Sequence, residues 1–66
     1  MIIKVNESPR EIINTTTVQQ LLDELQISIN GIAIAINNTV VKKEDWSVSY
    51  LQENDNVLII RSTQGG

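Results

Sequence analysis

Cysteine, histidine and phenylalanine are all missing from this chain of 66 residues. Without thiol or imidazole it has no thiolate nucleophile, no side chain poised to act as a base near neutral pH, and none of the nitrogen and sulfur ligands that hold zinc. A small secreted domain would usually need disulfides to reinforce a small core, so their absence favours a cytoplasmic protein. Basic residues are few as well. Five of them face eight acidic ones for a net charge of −3, and Lys42-Lys43 is the only adjacent pair. Binding to a phosphate backbone rests on clustered Lys and Arg, so nucleic acid is not an expected partner. No apolar run approaches the roughly 20 residues that span a bilayer. The opening MIIKVN has no basic segment followed by a long apolar one, so neither a signal peptide nor a membrane partner is expected.

The length allows one domain. It leaves little material to enclose the pockets of roughly 300–1,000 Å3 in which small molecules bind, and the eight carboxylates carry no spacing that would pair two of them. The chain is not expected to be an enzyme by itself. What it does contain is isoleucine, valine and leucine, with Trp46 and Tyr50 as the only aromatics. That β-branched bias favours strands.

MIIKVN alternates, with Ile3 and Val5 on one face and Lys4 and Asn6 on the other. Pro9 predicts a turn within NESPR, and EIIN a second strand closing a hairpin. The period then changes. Val18, Leu21, Leu22 and Leu25 form one helical stripe, while Thr17 and Gln20 fit a capping box at its start. Gln19, Gln20, Asp23 and Glu24 cover the opposite face. A docking patch is conceivable there, but a solvated helix surface is the simpler expectation.

Asn30-Gly31 marks a turn, and IAIAIN is the clearest strand, with Ile32, Ile34 and Ile36 opposite Ala33 and Ala35. The small alanines imply a face that is closely packed or only lightly covered. Asn37-Asn38-Thr39 reads as a turn before a brief strand, VVK. Trp46 and Leu51 are expected to anchor the core across an irregular crossing, although a tryptophan can also stack on a ligand. Asn54-Asp55-Asn56 is a tight turn, and VLII is the last strand. Because VLII does not alternate, two arrangements fit it. Either Leu58 and Ile60 lie near solvent as a partner-facing apolar pair, or neighbouring loops cover both faces. The whole is an α+β unit, a mixed sheet with one helix packed across a face. A domain over residues 1–60 is followed by a flexible carboxyl-terminal tail over 61–66.

At this point the sequence resembles the ThiS family, sulfur carriers of thiamine biosynthesis within the wider ThiS/MoaD-type ubiquitin-like group. The resemblance runs along essentially the whole chain. It rests on Ala33, Ala35, Asn37, Val40, Val41, Trp46, Asp55, Val57, Gly65 and Gly66, with Asn54 where the family usually has glycine. Asn is the next-best residue for a left-handed turn, so this departure does not threaten the fold. The proline often found after the valine pair is also absent. The resemblance implies a β-grasp fold. Fold alone does not give function. The Gly-Gly ending carries more weight, since two specified positions are both glycine by chance only about 0.5% of the time.

What the resemblance implies is tail chemistry. A ThiF-like enzyme adenylates the Gly66 carboxylate using ATP and Mg2+, with no cofactor held by the carrier. A sulfur-donating persulfide protein then converts Gly66 to a thiocarboxylate, and a ThiG-like thiazole synthase receives the sulfur. Gly65 and Gly66 let the backbone enter a narrow channel, and Ser62, Thr63 and Gln64 are polar spacers. Arg61 is either a partner to an acidic group or an ordinary exposed cation. With no cysteine, such a carrier holds sulfur only at its carboxyl end. It is expected to be a monomer when free. Three other readings share the pattern: a MoaD-like carrier for molybdopterin synthesis, a ubiquitin-like modifier conjugated through Gly66, and a non-covalent β-grasp module whose Gly-Gly is incidental.

Overall fold

The first hairpin pairs β1 (Ile2–Val5) with β2 (Ser8–Glu11) in the computed structural model, which describes residues 1–61. The turn falls at Asn6 and Glu7, with φ of 49° and 72°, rather than at Pro9. Two consecutive left-handed residues give the tight turn whose twist matches its flanking strands. Pro9 therefore lies inside β2, not at a bend, and β2 overlaps the EIIN segment expected as a strand only at Glu11. The placement is permitted because β2 is a sheet edge, where a missing N–H is tolerated. Of EIIN, Ile12 is buried and donates nothing outward, its N–H bonding Met1 O at 2.8 Å, while Ile13 is exposed.

Helix α1 (Val18–Leu25) begins as its sequence requires. Thr17 is extended; its hydroxyl accepts from the Gln20 N–H, and the Gln20 side-chain oxygen accepts from the Thr17 N–H at 2.9 Å. Val18, Leu21 and Leu22 are buried, and Leu25 packs against the same core. Gln20, Asp23 and Glu24 face solvent. Gln26 ends the helix in a left-handed conformation, its N–H returning to Asp23 O.

β3 (Ile32–Ile36) and β4 (Thr39–Val41) form a second hairpin through left-handed Asn37 and Asn38. A 3-10 turn at Lys43–Asp45 leads to Trp46, which is buried and donates its indole N–H to Val41 O at 3.0 Å. Leu51 is buried beside it, so both residues are core anchors. β5 (Asn56–Arg61) is the final strand. The sheet order is β2-β1-β5-β3-β4, with β1 and β5 parallel and the other pairs antiparallel. Ile3, Ile34 and Val57 meet Val18, Leu21, Leu22 and Trp46 between the sheet and α1. Among the described residues no helix is long and apolar enough to cross a membrane.

One polar knot fixes the entry to β5. Asp55 is buried; its carboxylate accepts from Asn37 Nδ2 at 3.0 Å and from the Gln52 N–H at 2.8 Å. The Asn37 side-chain oxygen in turn accepts from the Asn56 N–H. Asn54 beside it is left-handed, with φ of 70°. A buried donor stripped of a charged acceptor costs about 1–3 kcal/mol. Asp55→Ala should therefore lower unfolding stability by about 2 kcal/mol, read from urea denaturation as a lower midpoint with an unchanged slope.

Candidate functional site

The strand that leads toward the carboxyl terminus lies in the middle of the sheet, flanked by β1 at its start and by β3 along its length. Alternation along β5 separates its side chains onto two faces. Val57 is fully buried toward α1 and Ile59 packs against the same core. Leu58 and Ile60 point to the opposite face and are 44% and 45% exposed. Of the two arrangements that fit VLII, the structure has the one with the apolar pair open to solvent.

That outer face is wider than β5. Cross-strand pairing sets Leu58 opposite Ala35 and Ile60 opposite Ala33, and Ala35 is also opposite Val40 of β4. Val40 is 67% exposed and Ala33 is exposed, whereas Ala35 is nearly covered by the neighbours it separates. The alanines thus do both things their size suggests: Ala35 is closely packed and Ala33 lightly covered. The result is an apolar strip across β4, β3 and β5 with no element among the described residues laid over it. Val40 belongs to it although its sequence context gave only a short strand. The pairing Val40↔Ala35 assigns it to that face, and nothing local to residue 40 does.

On the helix side, the end of β5 borders an open groove of about 480 Å3 lined by Val5, Asn6, Leu25, Ile27, Ile59 and Arg61. It is larger than expected of so short a chain, yet it is a cleft and not an enclosed chamber. Arg61, expected as the first tail residue, is the last residue of β5, exposed and paired with Ile32 of β3. The described strand thus takes in Arg61. Ser62, Thr63, Gln64, Gly65 and Gly66 lie outside the described residues. Among the described residues no group of three or more acidic side chains is placed to hold a metal ion. The Arg10 and Glu24 side chains approach to 3.6 Å between β2 and α1, an exposed pair of little energetic weight.

Comparison with known proteins matches the ThiS family model over residues 3–66. The sulfur carrier protein ThiS of Escherichia coli K12 is 32% identical over 66 residues, covering all of both chains. Among solved structures, the crystal structure of a thiamine biosynthesis protein (ThiS) from Geobacter metallireducens superposes with a TM-score of 0.86 at 22% identity, again covering both chains in full. A solution structure of a thiamine biosynthesis protein from the same organism gives 0.79 at 22% identity, covering 88% of its own chain. At that identity the two structures establish the β-grasp fold alone.

The two faces of β5 should respond differently to substitution. Val57→Ala removes buried methyl groups and should cost about 2–3 kcal/mol. Leu58→Lys, on the open face, should cost under about 1 kcal/mol. Paired urea denaturation curves check both; equal losses would show that the outer face is covered.

Proposed function

The chain belongs to the ThiS family, and we propose that it serves as a sulfur carrier of thiamine biosynthesis, with the sulfur held at the carboxyl group of Gly66. The observation that carries this reading is the full-length match to a sulfur carrier, with Gly65-Gly66 in the sequence a few residues beyond the central strand. The carrier is a co-substrate of other enzymes and works in the cytoplasm as a monomer between encounters.

A carboxylate is a poor acyl donor, since it is anionic and has no leaving group. Attack of a Gly66 carboxylate oxygen on the α-phosphorus of ATP forms an acyl-phosphate bond and expels pyrophosphate. The terminal sulfur of a persulfide then attacks the carbonyl carbon, and AMP departs with the bonding electrons. Cleavage of the remaining S–S bond by a thiol leaves the thiocarboxylate, which passes its sulfur to the thiazole synthase. ATP and Mg2+ belong to a ThiF-like activating enzyme, and the carrier holds no cofactor of its own.

Two features of the fold support this division of labour. Five residues beyond Arg61 reach at most about 17 Å, enough to carry Gly66 into a partner's active site while the folded body stays outside. The body then needs a docking surface near the root of the tail. The strip of Leu58, Ile60, Val40 and Ala33 meets that need, because an exposed apolar patch on a small soluble domain is a common mark of a protein contact. Arg61 sits at the junction, where it can pair with an acidic group of the partner.

Incubation with a ThiF-like enzyme, ATP and Mg2+ should yield an AMP adduct at Gly66 by intact mass. Adding a persulfide donor and a thiol should convert it to a product in which one sulfur replaces one oxygen. Deleting Gly65-Gly66 should abolish both. Leu58→Asp combined with Ile60→Asp should raise KM for the carrier at least tenfold with the fold intact. Failure of a verified active enzyme to adenylate the wild-type chain would overturn the carrier reading, and isopeptide-linked ladders in cells would favour a protein modifier.

A further inference from the structure

The two flanks of β5 are held in different ways near its end. β3 accompanies it throughout, from Ile36 opposite Val57 to Ile32 opposite Arg61. β1 does not. Its pairing with β5 covers only Lys4 opposite Asn56 and Val5 opposite Val57, because the chain turns away at Asn6 and Glu7. The strand leading to the tail thus loses its parallel neighbour before it ends.

At that point Asn6 takes over from the missing strand. Its N–H donates to Val57 O at 2.9 Å, and its side-chain Oδ1 accepts from the Ile59 N–H at 2.8 Å. One residue therefore holds two successive rungs of β5, the second with a side-chain carbonyl where a continued β1 would have offered a backbone one. The position demands two properties at once. The backbone must accept a φ of 49°, and the side chain must be short and end in an acceptor. Asn and Asp combine them, since both tolerate the left-handed region. Glycine supplies the first property without the second.

We propose that Asn6 is a positioning residue for the reaction at Gly66. By accepting from the Ile59 N–H it keeps the last residues of β5 aligned after β1 has turned away, so the point from which the chain runs on to Gly66 is fixed. This inference rests on the carrier reading. The Asn6–Ile59 bond lies near the surface, so it contributes little to global stability. Its effect falls on the alignment of Ile59 to Arg61, from which the chain runs on to Gly66. Presenting a reacting group in the right geometry is worth large factors in rate, and a loosened root reduces the fraction of docked carriers with the carboxylate correctly placed.

Asn6→Gly and Asn6→Asp separate the two properties. Each is compared with wild type in the ATP-dependent adenylation of Gly66 by the activating partner, and amide exchange at Ile59 is followed in the isolated carriers. Asn6→Gly should leave Tm within a few degrees, speed exchange at Ile59, and lower kcat about three- to tenfold with KM unchanged. Asn6→Asp, which keeps the acceptor and the turn, should restore both exchange protection and kcat. A rise in KM alone would overturn the inference by making Asn6 a contact with the partner. So would an unchanged kcat in Asn6→Gly despite faster exchange at Ile59. Absence of any adenylate with the wild-type chain would instead bring down the carrier reading itself.

Discussion

Everything in this fold depends on β5 lying between β1 and β3. Without it, the sheet order β2-β1-β5-β3-β4 separates into two hairpins that share no hydrogen bonds. An isolated hairpin is marginal in water. Joining the two through one strand lets Ile3, Ile34 and Val57 form a continuous surface against which α1 lays Val18, Leu21 and Leu22. The entry to that strand is correspondingly well fixed, by the Asp55 carboxylate and the Asn37 side chain, which tie it to both the preceding loop and the second hairpin's turn.

How much of this was legible in the sequence depends on how local its cause is. Helix α1 was readable because its stripe and its Thr17–Gln20 cap are complete within nine residues. β3 was readable from alternation, and Trp46 and Leu51 as large apolar residues set in an otherwise polar, irregular crossing. The first turn was misplaced because Pro9 is a strong turn signal, whereas Glu7 carries none for its left-handed conformation. Once β2 is known to be an edge, a proline inside it ceases to be anomalous.

The functional region divides the same way. The Gly-Gly ending and the non-alternating VLII were visible as patterns, and the exposed Leu58 and Ile60 resolve the ambiguity VLII left. The extent of the apolar strip was not visible, since Val40 and Ala33 join it only through the registers of β3 with β4 and with β5. Nor was the role of Asn6. Its bond to Ile59 joins residues 53 positions apart, and no local rule selects that partner among the many open N–H groups of a strand-rich chain. The sequence supports the expectation that Asn6 is a polar residue on the outer face of β1. The structure gives it instead to the turn and to β5.

The double flanking of β5 also has a mechanical side. A pull on the chain at Arg61 acts along the axis of β5. The hydrogen bonds to β3 cross that axis and resist sliding together, so they share the load instead of failing one after another. Asn6 adds a side tether near the loaded end. A pull at the carboxyl end of β5 is thereby spread along its whole pairing with β3.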